Sequence, residues 1–159
     1  NGPNTDLHSI IHPISIGSFC SVARGTFFYE PTHDYSRCTS YYIHHHFFGE
    51  KTREADVVSK GPIIVGNDVW IGAQTIILSG VKIRHGAVIA SNSVVSEDIP
   101  PYAIVGGTPA KIIKYRFDVP IIKRMLEIEW WNWSFDRIKR NKKLFEGELT
   151  LEKLYGISE

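Results

Sequence analysis

Aliphatic residues recur at every sixth position through the middle of the chain, at Val65, Ile71, Ile77, Ile83, Ile89 and Val95, with no slip in register. Four residues after each of them stand Val69, Thr75, Val81, Ala87, Ser93 and Ile99, most of them small or β-branched. In a strand, residues i and i+4 point to the same face, so both sets look into one interior. A six-residue unit is too short for a helix pair but suits a short strand followed by a corner. Three such units close a triangular coil, and stacked coils share backbone hydrogen bonds at about 4.8 Å. The pattern predicts an all-β solenoid. The alternative is an antiparallel sandwich, whose strands rarely share one fixed repeat length. Spacing alone does not set the handedness.

Gly66, Asn67, Gly72, Gly80, Gly86 and Asn92 are expected at the corners, because Gly and Asn tolerate positive φ. A shorter block precedes the main one, with Ile16, Val22 and Phe28 in the aliphatic positions and Cys20 and Thr26 in the small ones. It is expected to build one further coil. Between the blocks, Pro31 to Pro62 breaks the register and is rich in His, Tyr and charge. Loops of that length inside a compact domain are usually functional or disordered.

The repeat ends after Val105, at GGTPAKIIK. Beyond it, DVPIIKRMLEIEWW and SFDRIKRNKKLFEG carry helical spacing, with Asp118 and Ser134 as N-caps and helices from about Val119. Trp130, Trp131 and Trp133 are expected to anchor this appendage to the coil or to a neighbouring subunit. The organisation expected is therefore a β-helix domain over residues 1–113, with an insertion at 31–62, and a helical extension over 114–159.

Composition narrows the function classes. The 18 Lys and Arg balance 17 Asp and Glu to a formal charge of +1, which argues against a nucleic-acid or membrane-binding surface. Any anion site must be local. Cys20 and Cys38 form no CxxC pair and read as free thiols. No run approaches the roughly 20 apolar residues of a membrane span, and Asn1 to Ile11 lacks the basic start and apolar centre of a signal peptide. A cytoplasmic protein is expected. The opening NGPNTDL, which has no initiator Met, reads as loop.

The run IVGNDVWIGAQTIILSGVKIRHGAVIASNSVVSEDIPPYAIVGGTPAKIIK resembles the hexapeptide-repeat acetyltransferases. The early IGSFCSVARG, the His-bearing insertion and EWWNW are similar to the xenobiotic branch, with its streptogramin and type B chloramphenicol acetyltransferases and sugar O-acetyltransferase relatives. The resemblance runs from Ile14 nearly to the end. It implies a left-handed parallel β-helix, a homotrimer with active sites between subunits, acetyl-CoA as co-substrate without a metal, and a small-molecule acceptor. The resemblance also implies direct transfer in a ternary complex.

Acyl transfer from a thioester needs a base for the acceptor proton, a donor for the oxyanion and a groove that orients CoA. Seven histidines are available as the base, His8, His12, His33, His44, His45, His46 and His85, and residue type does not choose among them. The resemblance places the base at His33, in YEPTHDYSR at the start of the insertion. Asp34, Glu30 or a backbone carbonyl is expected to orient its ring. The triple His44 to His46 is read as an extended stretch whose side chains alternate, so no shared metal is expected there.

By the same resemblance, Trp70, Ala73, Ser91 and Ser96 line the CoA groove, and Lys111 and Lys114 meet the nucleotide phosphates. Trp70 also reads as a plain solvent-side contact of the coil, and the lysines alone as ordinary surface. Glu97 stands where some sugar-acetylating relatives carry a basic residue. Cys20 fits an interior repeat position and is not expected to be a nucleophile.

Tyr35, Tyr41, Tyr42, Phe47 and Phe48 offer stacking surface for the acceptor. A sugar hydroxyl on a surface polysaccharide precursor is preferred, because YYIHHHFF departs from the shorter loop of the drug-modifying relatives. The alternative acceptor is a hydroxylated antibiotic of the streptogramin or chloramphenicol type. More remote readings are a γ-class carbonic anhydrase-like protein, which needs three histidines around zinc, and a non-catalytic β-helix.

Overall fold

The computed structural model describes residues 5–158. Residues 1–4, which open the expected first domain and the NGPNTDL loop, lie outside that range. The chain forms two compact units that meet between Lys114 and Tyr115.

The first unit is built from short strands: β1 (Asp6–His8), β2 (Ile14–Ile16), β3 (Ser21–Val22), β4 (Phe27–Tyr29), β5 (Thr32–His33), β6 (Val57–Val58) and β7 (Ile63–Val65). There follow β8 (Trp70–Ile71), β9 (Ile76–Leu78), β10 (Lys82–Ile83), β11 (Val88–Ile89), β12 (Val94–Val95), β13 (Ala103–Gly107) and β14 (Ala110–Tyr115). They assemble into three main sheets, ordered β1-β4-β9-β12, β2-β7-β10 and β3-β8-β11-β13-β14. From β1 to β12, apart from the paired β5 and β6, successive strands fall in different sheets, which the chain visits in rotation. Val65 pairs with Ile83, Ile71 with Ile89 and Ile77 with Val95, always in parallel and always three repeats on. The start of the chain differs from expectation, since Asp6 and Leu7 belong to strand β1 beside Phe27 and Phe28 rather than to a loop.

Both periodic sets point inward. Every member of the sixth-position set, from Val65 to Val95, is buried, and so is every residue of the second set, from Val69 to Ile99. The polar members of the second set are satisfied by one repeated device. The hydroxyls of Thr26, Thr75 and Ser93 each donate to the carbonyl three residues back, that of Ala23, Gly72 and Ala90 respectively, at 2.9, 2.8 and 2.6 Å. A buried polar group that keeps a hydrogen bond costs little. The early block joins the same core: Val22, Phe28 and Thr26 are buried, and the Cys20 thiol lies 3.1 Å from the Gly66 carbonyl oxygen.

Two expectations need correction. Ile99 bridges Ile83, and Val105 pairs with Ile89, so the last turn is two residues short of three repeats. Ile99 thus continues the aliphatic column rather than the small one. The corners also differ. Gly80, Gly86 and Asn92 do have positive φ, but in the earlier corners Asp68 and Gln74 hold that conformation, not Gly66, Asn67 or Gly72. Positive φ therefore recurs every sixth residue from Asp68 to Asn92, three after each aliphatic position from Val65 to Ile89. Gly66 and Gly72 serve close approach instead. A Cβ on Gly72 would lie 2.5 Å from the Ser91 nitrogen, and one on Gly66 2.8 Å from the His85 nitrogen.

The second unit holds α2 (Val119–Ile128), α3 (Phe135–Arg140) and α4 (Leu151–Tyr155); the remaining α-helix among the described residues, α1 (Ile43–His46), lies in the insertion. Ser134 caps α3 through its side chain, which accepts from the Arg137 amide at 3.2 Å. Asp118 occupies the N-cap position of α2 without a side-chain hydrogen bond. Met125, Trp131, Leu144 and Leu154 are buried. Trp133 donates its indole N–H to the Ile128 carbonyl, Arg137 stacks over the Trp133 ring, and Trp130 packs edge-on against Phe145.

Candidate active site

The insertion leaves the coil at Pro31 and returns at Pro62. Its two feet pair as an antiparallel ladder, with Thr32 opposite Val58 and His33 opposite Val57. Asp56 is buried just before the returning foot and accepts from the amides of His44 and His45 at 3.0 and 2.9 Å. Those amides open α1, so a carboxylate brought from twelve residues on does the work of a helix cap. Burial opposes the charge of Asp56, but the two amides, with His44 and Arg37 nearby, lower its pKa. Arg37 binds the Asp34 carboxylate at 2.7 Å and the Ala55 carbonyl, which joins the outward and returning legs. His44 to His46 therefore lie on a short helix, not on the extended stretch expected. His44 Nδ1 meets the Glu50 carboxylate, and His45 Nδ1 donates to the Glu50 carbonyl. Among the described residues no three His, Cys, Asp or Glu side chains are grouped to hold a metal.

His33 is exposed, and its Nδ1 lies 2.5 Å from the Ser40 carbonyl oxygen. A carbonyl only accepts, so Nδ1 carries the proton and the neutral ring keeps its lone pair on Nε2. The Tyr42 ring stands edge-on to the imidazole at 4.4 Å and fixes its plane. Neither carboxylate weighed for this orienting role fills it. Asp34 accepts from the Ser36 hydroxyl and amide and from Arg37, which together lower its pKa. Glu30 turns the other way, toward His12. The backbone carbonyl, the third partner expected for the ring, does fill the role, though the sequence does not single out Ser40, because a carbonyl has no side-chain signature; Asp56 was missed, because it only matters once the insertion has folded back.

The residues expected in the CoA groove fall in two groups. Trp70 is 58% exposed on β8, beside Ser21 and Val88. One corner further on, Ala73 and Ser91 adjoin on successive layers, where the Asn92 amide donates to the Ala73 carbonyl at 2.9 Å. Both side chains are small, and Gly72 is seated against Ser91. Ser96 is half-buried beyond β12, next to Glu97, whose carboxylate lies 3.3 Å from Lys111 Nζ. Lys111 and Lys114 are both exposed on β14. The contacts of His33 lie within the insertion.

The insertion also holds a cavity of about 230 Å³, with Arg37, Cys38, Tyr41, Ile43, His44 and Asp56 among its lining residues. Small-molecule sites run to about 300–1,000 Å³, so this cavity suits a side group rather than a whole drug-sized acceptor. No helix among the described residues is long and apolar enough to cross a membrane.

The family model for bacterial transferase hexapeptide (six repeats) matches residues 62–97, the stretch in which the period is strictest. The chain is 44% identical over 138 residues to a chloramphenicol acetyltransferase of Klebsiella aerogenes, across 81% of this chain and 64% of that protein. It is 40% identical over 146 residues to a Lysinibacillus sphaericus protein named "Probable macrolide acetyltransferase", across 87% of this chain and 80% of that one. Among solved structures, a galactoside acetyltransferase in complex with coenzyme A superposes with a TM-score of 0.52 and 30% identity, over 66% of this chain and 46% of that one. The chain spans slightly under two thirds of the length of the chloramphenicol acetyltransferases it matches. Strict repeat, shared register and identity across most of the macrolide relative's length agree: the chain belongs to the hexapeptide-repeat acetyltransferases.

Proposed function

We propose that this chain is an acetyl-CoA-dependent O-acetyltransferase, with a left-handed parallel β-helix domain through residue 113, a helical extension from 114, and His33 as its general base. The observation that carries this is the Ser40 carbonyl on His33 Nδ1, which leaves Nε2 free to take a proton. The acceptor hydroxyl attacks the thioester carbonyl while its proton passes to Nε2. The carbon–sulfur bond then breaks, and the leaving thiolate recovers the proton from the imidazolium. Acetyl-CoA supplies the acyl group. Trp70, Ala73, Ser91 and Ser96 hold its pantetheine arm, and Lys111 and Lys114 its phosphates.

For the acceptor, the 44% identity with a chloramphenicol acetyltransferase and the named macrolide relative favour a hydroxylated antibiotic. Exposed Tyr35, Phe47 and Phe48 on the insertion give such a molecule apolar surface to lie against. A sugar hydroxyl is the second reading, supported by the likeness to a galactoside acetyltransferase. The insertion's cavity of about 230 Å³ falls below the usual size of a drug-binding site, which fits a site completed by a second copy, as in a homotrimer with active sites between subunits. Cytoplasmic placement fits a reaction that draws on acetyl-CoA. Release of free thiol from acetyl-CoA over a panel of antibiotics, sugars and nucleotide sugars tests the proposal. Release with one acceptor class supports it, and release with none counts against it.

A further inference from the structure

Glu30 is fully buried. It stands two residues after Phe28 on the inward side of the coil, where the neighbouring layer, paired through Phe28 and Ile77, carries Ser79. Nothing in the repeat asks for a carboxylate there. An apolar residue fills such a place at less cost than a charge, so the charge has to be explained by what it holds.

It holds the segment preceding the first coil. Oε2 accepts from the Ile10 and Ile11 amides at 3.2 and 3.0 Å, Oε1 meets His12 Nδ1 at 3.0 Å, and the Glu30 amide donates to the His8 carbonyl at 3.0 Å. His12 Nδ1 also lies 3.2 Å from the Ser59 hydroxyl, which accepts from the Gly61 amide at 3.0 Å. Glu30 and Ser59 flank the insertion's two feet: β5 begins two residues after Glu30, and β6 ends one residue before Ser59. The neighbouring Lys60 amide is tied to Ser79 in turn.

We infer that Glu30 is a positioning residue for the reaction: by clamping Ile10 to His12 and, through His12, Ser59, it fixes both feet of the insertion and so the place of His33. The inference rests on His33 being the base. The clamp acts at a distance, since the ring of His33 is held by Ser40 and Tyr42, both carried by the insertion. His33 lies in β5, one of the two feet, opposite Val57, so loosened feet shift it against both the coil and Ser40, and a misplacement of about 1 Å at a reacting centre can cost about 100-fold in rate.

The test uses the full chain with isotope-labelled histidine, comparing wild type, Glu30→Gln and Ser59→Ala. Two quantities are read: the nitrogen resonances of His33, which report its tautomer, and kcat and KM for the acceptor found in the panel. The expected result for Glu30→Gln is averaging of the Nδ1–H tautomer and a kcat lower by about 10- to 100-fold, with KM for acetyl-CoA within about two-fold of wild type. Ser59→Ala moves both quantities in the same direction and less far. A folded Glu30→Gln protein with unchanged tautomer and kcat overturns the inference. If that variant does not fold, Ser59→Ala decides by the same two outcomes. If wild type acetylates no acceptor, the assignment of His33 as base fails, and the tautomer signal still decides whether Glu30 positions the ring.

Discussion

His33 and Ser40 are joined across a tight bend of the insertion, with the imidazole Nδ1 2.5 Å from the carbonyl oxygen seven residues on. That contact leaves the basic nitrogen, Nε2, pointing away from the chain's own hydrogen bonds. A backbone acceptor holds the tautomer without adding a second titrating group to the site, as a carboxylate partner would.

Removing that nitrogen should stop the chemistry and spare binding. His33→Ala is expected to lower kcat by about 100-fold or more, with affinity for acetyl-CoA unchanged. Thiol release gives the first quantity, and the thermal shift produced by CoA gives the second. Full turnover in this variant would remove His33 as the base.

The stacked parallel strands were legible from residue spacing because each inward position repeats the same requirement, a side chain that fills one layer of a shared core. Val65 to Val95 and Val69 to Ser93 could be placed by counting. Counting failed at Ile99, because the shortened last turn shifts the register while the next residue inward is still aliphatic. It failed again at Asp68 and Gln74, because glycine marks both positive φ and close approach, and one sequence letter does not separate the two. The insertion was legible as an interruption only. Its helix depends on Asp56 reaching back to His44 and His45, and its histidine on a carbonyl, and neither contact follows from local propensity.

The two uses of glycine predict opposite outcomes for matched substitutions. At Gly72 an added Cβ meets the Ser91 backbone nitrogen at 2.5 Å, and backbone cannot swing aside. Gly72→Ala is therefore expected to destabilise by about 1–3 kcal/mol and to disturb the corner where Ala73 and Ser91 meet. At Gln74, φ is +57°, a conformation costing an L-residue about 1–2 kcal/mol. Gln74→Gly relieves that strain, offset in part by the greater freedom of glycine in the unfolded chain. Thermal melting of both variants checks the contrast: the first lowers Tm, and the second leaves it level or higher.

Glu97 and Lys111 form an exposed pair, 71% and 64% accessible, at the end of the proposed groove. Such pairs add little stability, about 0–1 kcal/mol, so removing one partner barely affects folding. Its effect should appear in binding instead. Glu97→Gln frees Lys111 for a phosphate and removes a like charge from the path of CoA, so KM for acetyl-CoA is expected to fall by about 2- to 5-fold. Raising the salt concentration should shrink that gain. An unchanged KM would place the CoA phosphates away from Lys111.

Glu30 also sets an acid limit on the fold. Burial alone would raise its pKa, but hydrogen bonds from Ser59, the Ile11 amide, His12 and the Ile10 amide outweigh burial and hold it at about 2, against 4.5 for a free glutamate. The folded state thus resists a proton that the unfolded chain accepts. Stability from this group is fully present above pH 4.5 and is lost as pH falls from there toward 2. In Glu30→Gln the linked proton is gone, so the variant should be less stable than wild type at pH 7 and lose less on acidification. Melting curves at steps from pH 7 to about pH 3 follow both proteins across this range. The two Tm curves should converge as pH falls, and parallel curves would mean that Glu30 gives up no such proton-linked stability.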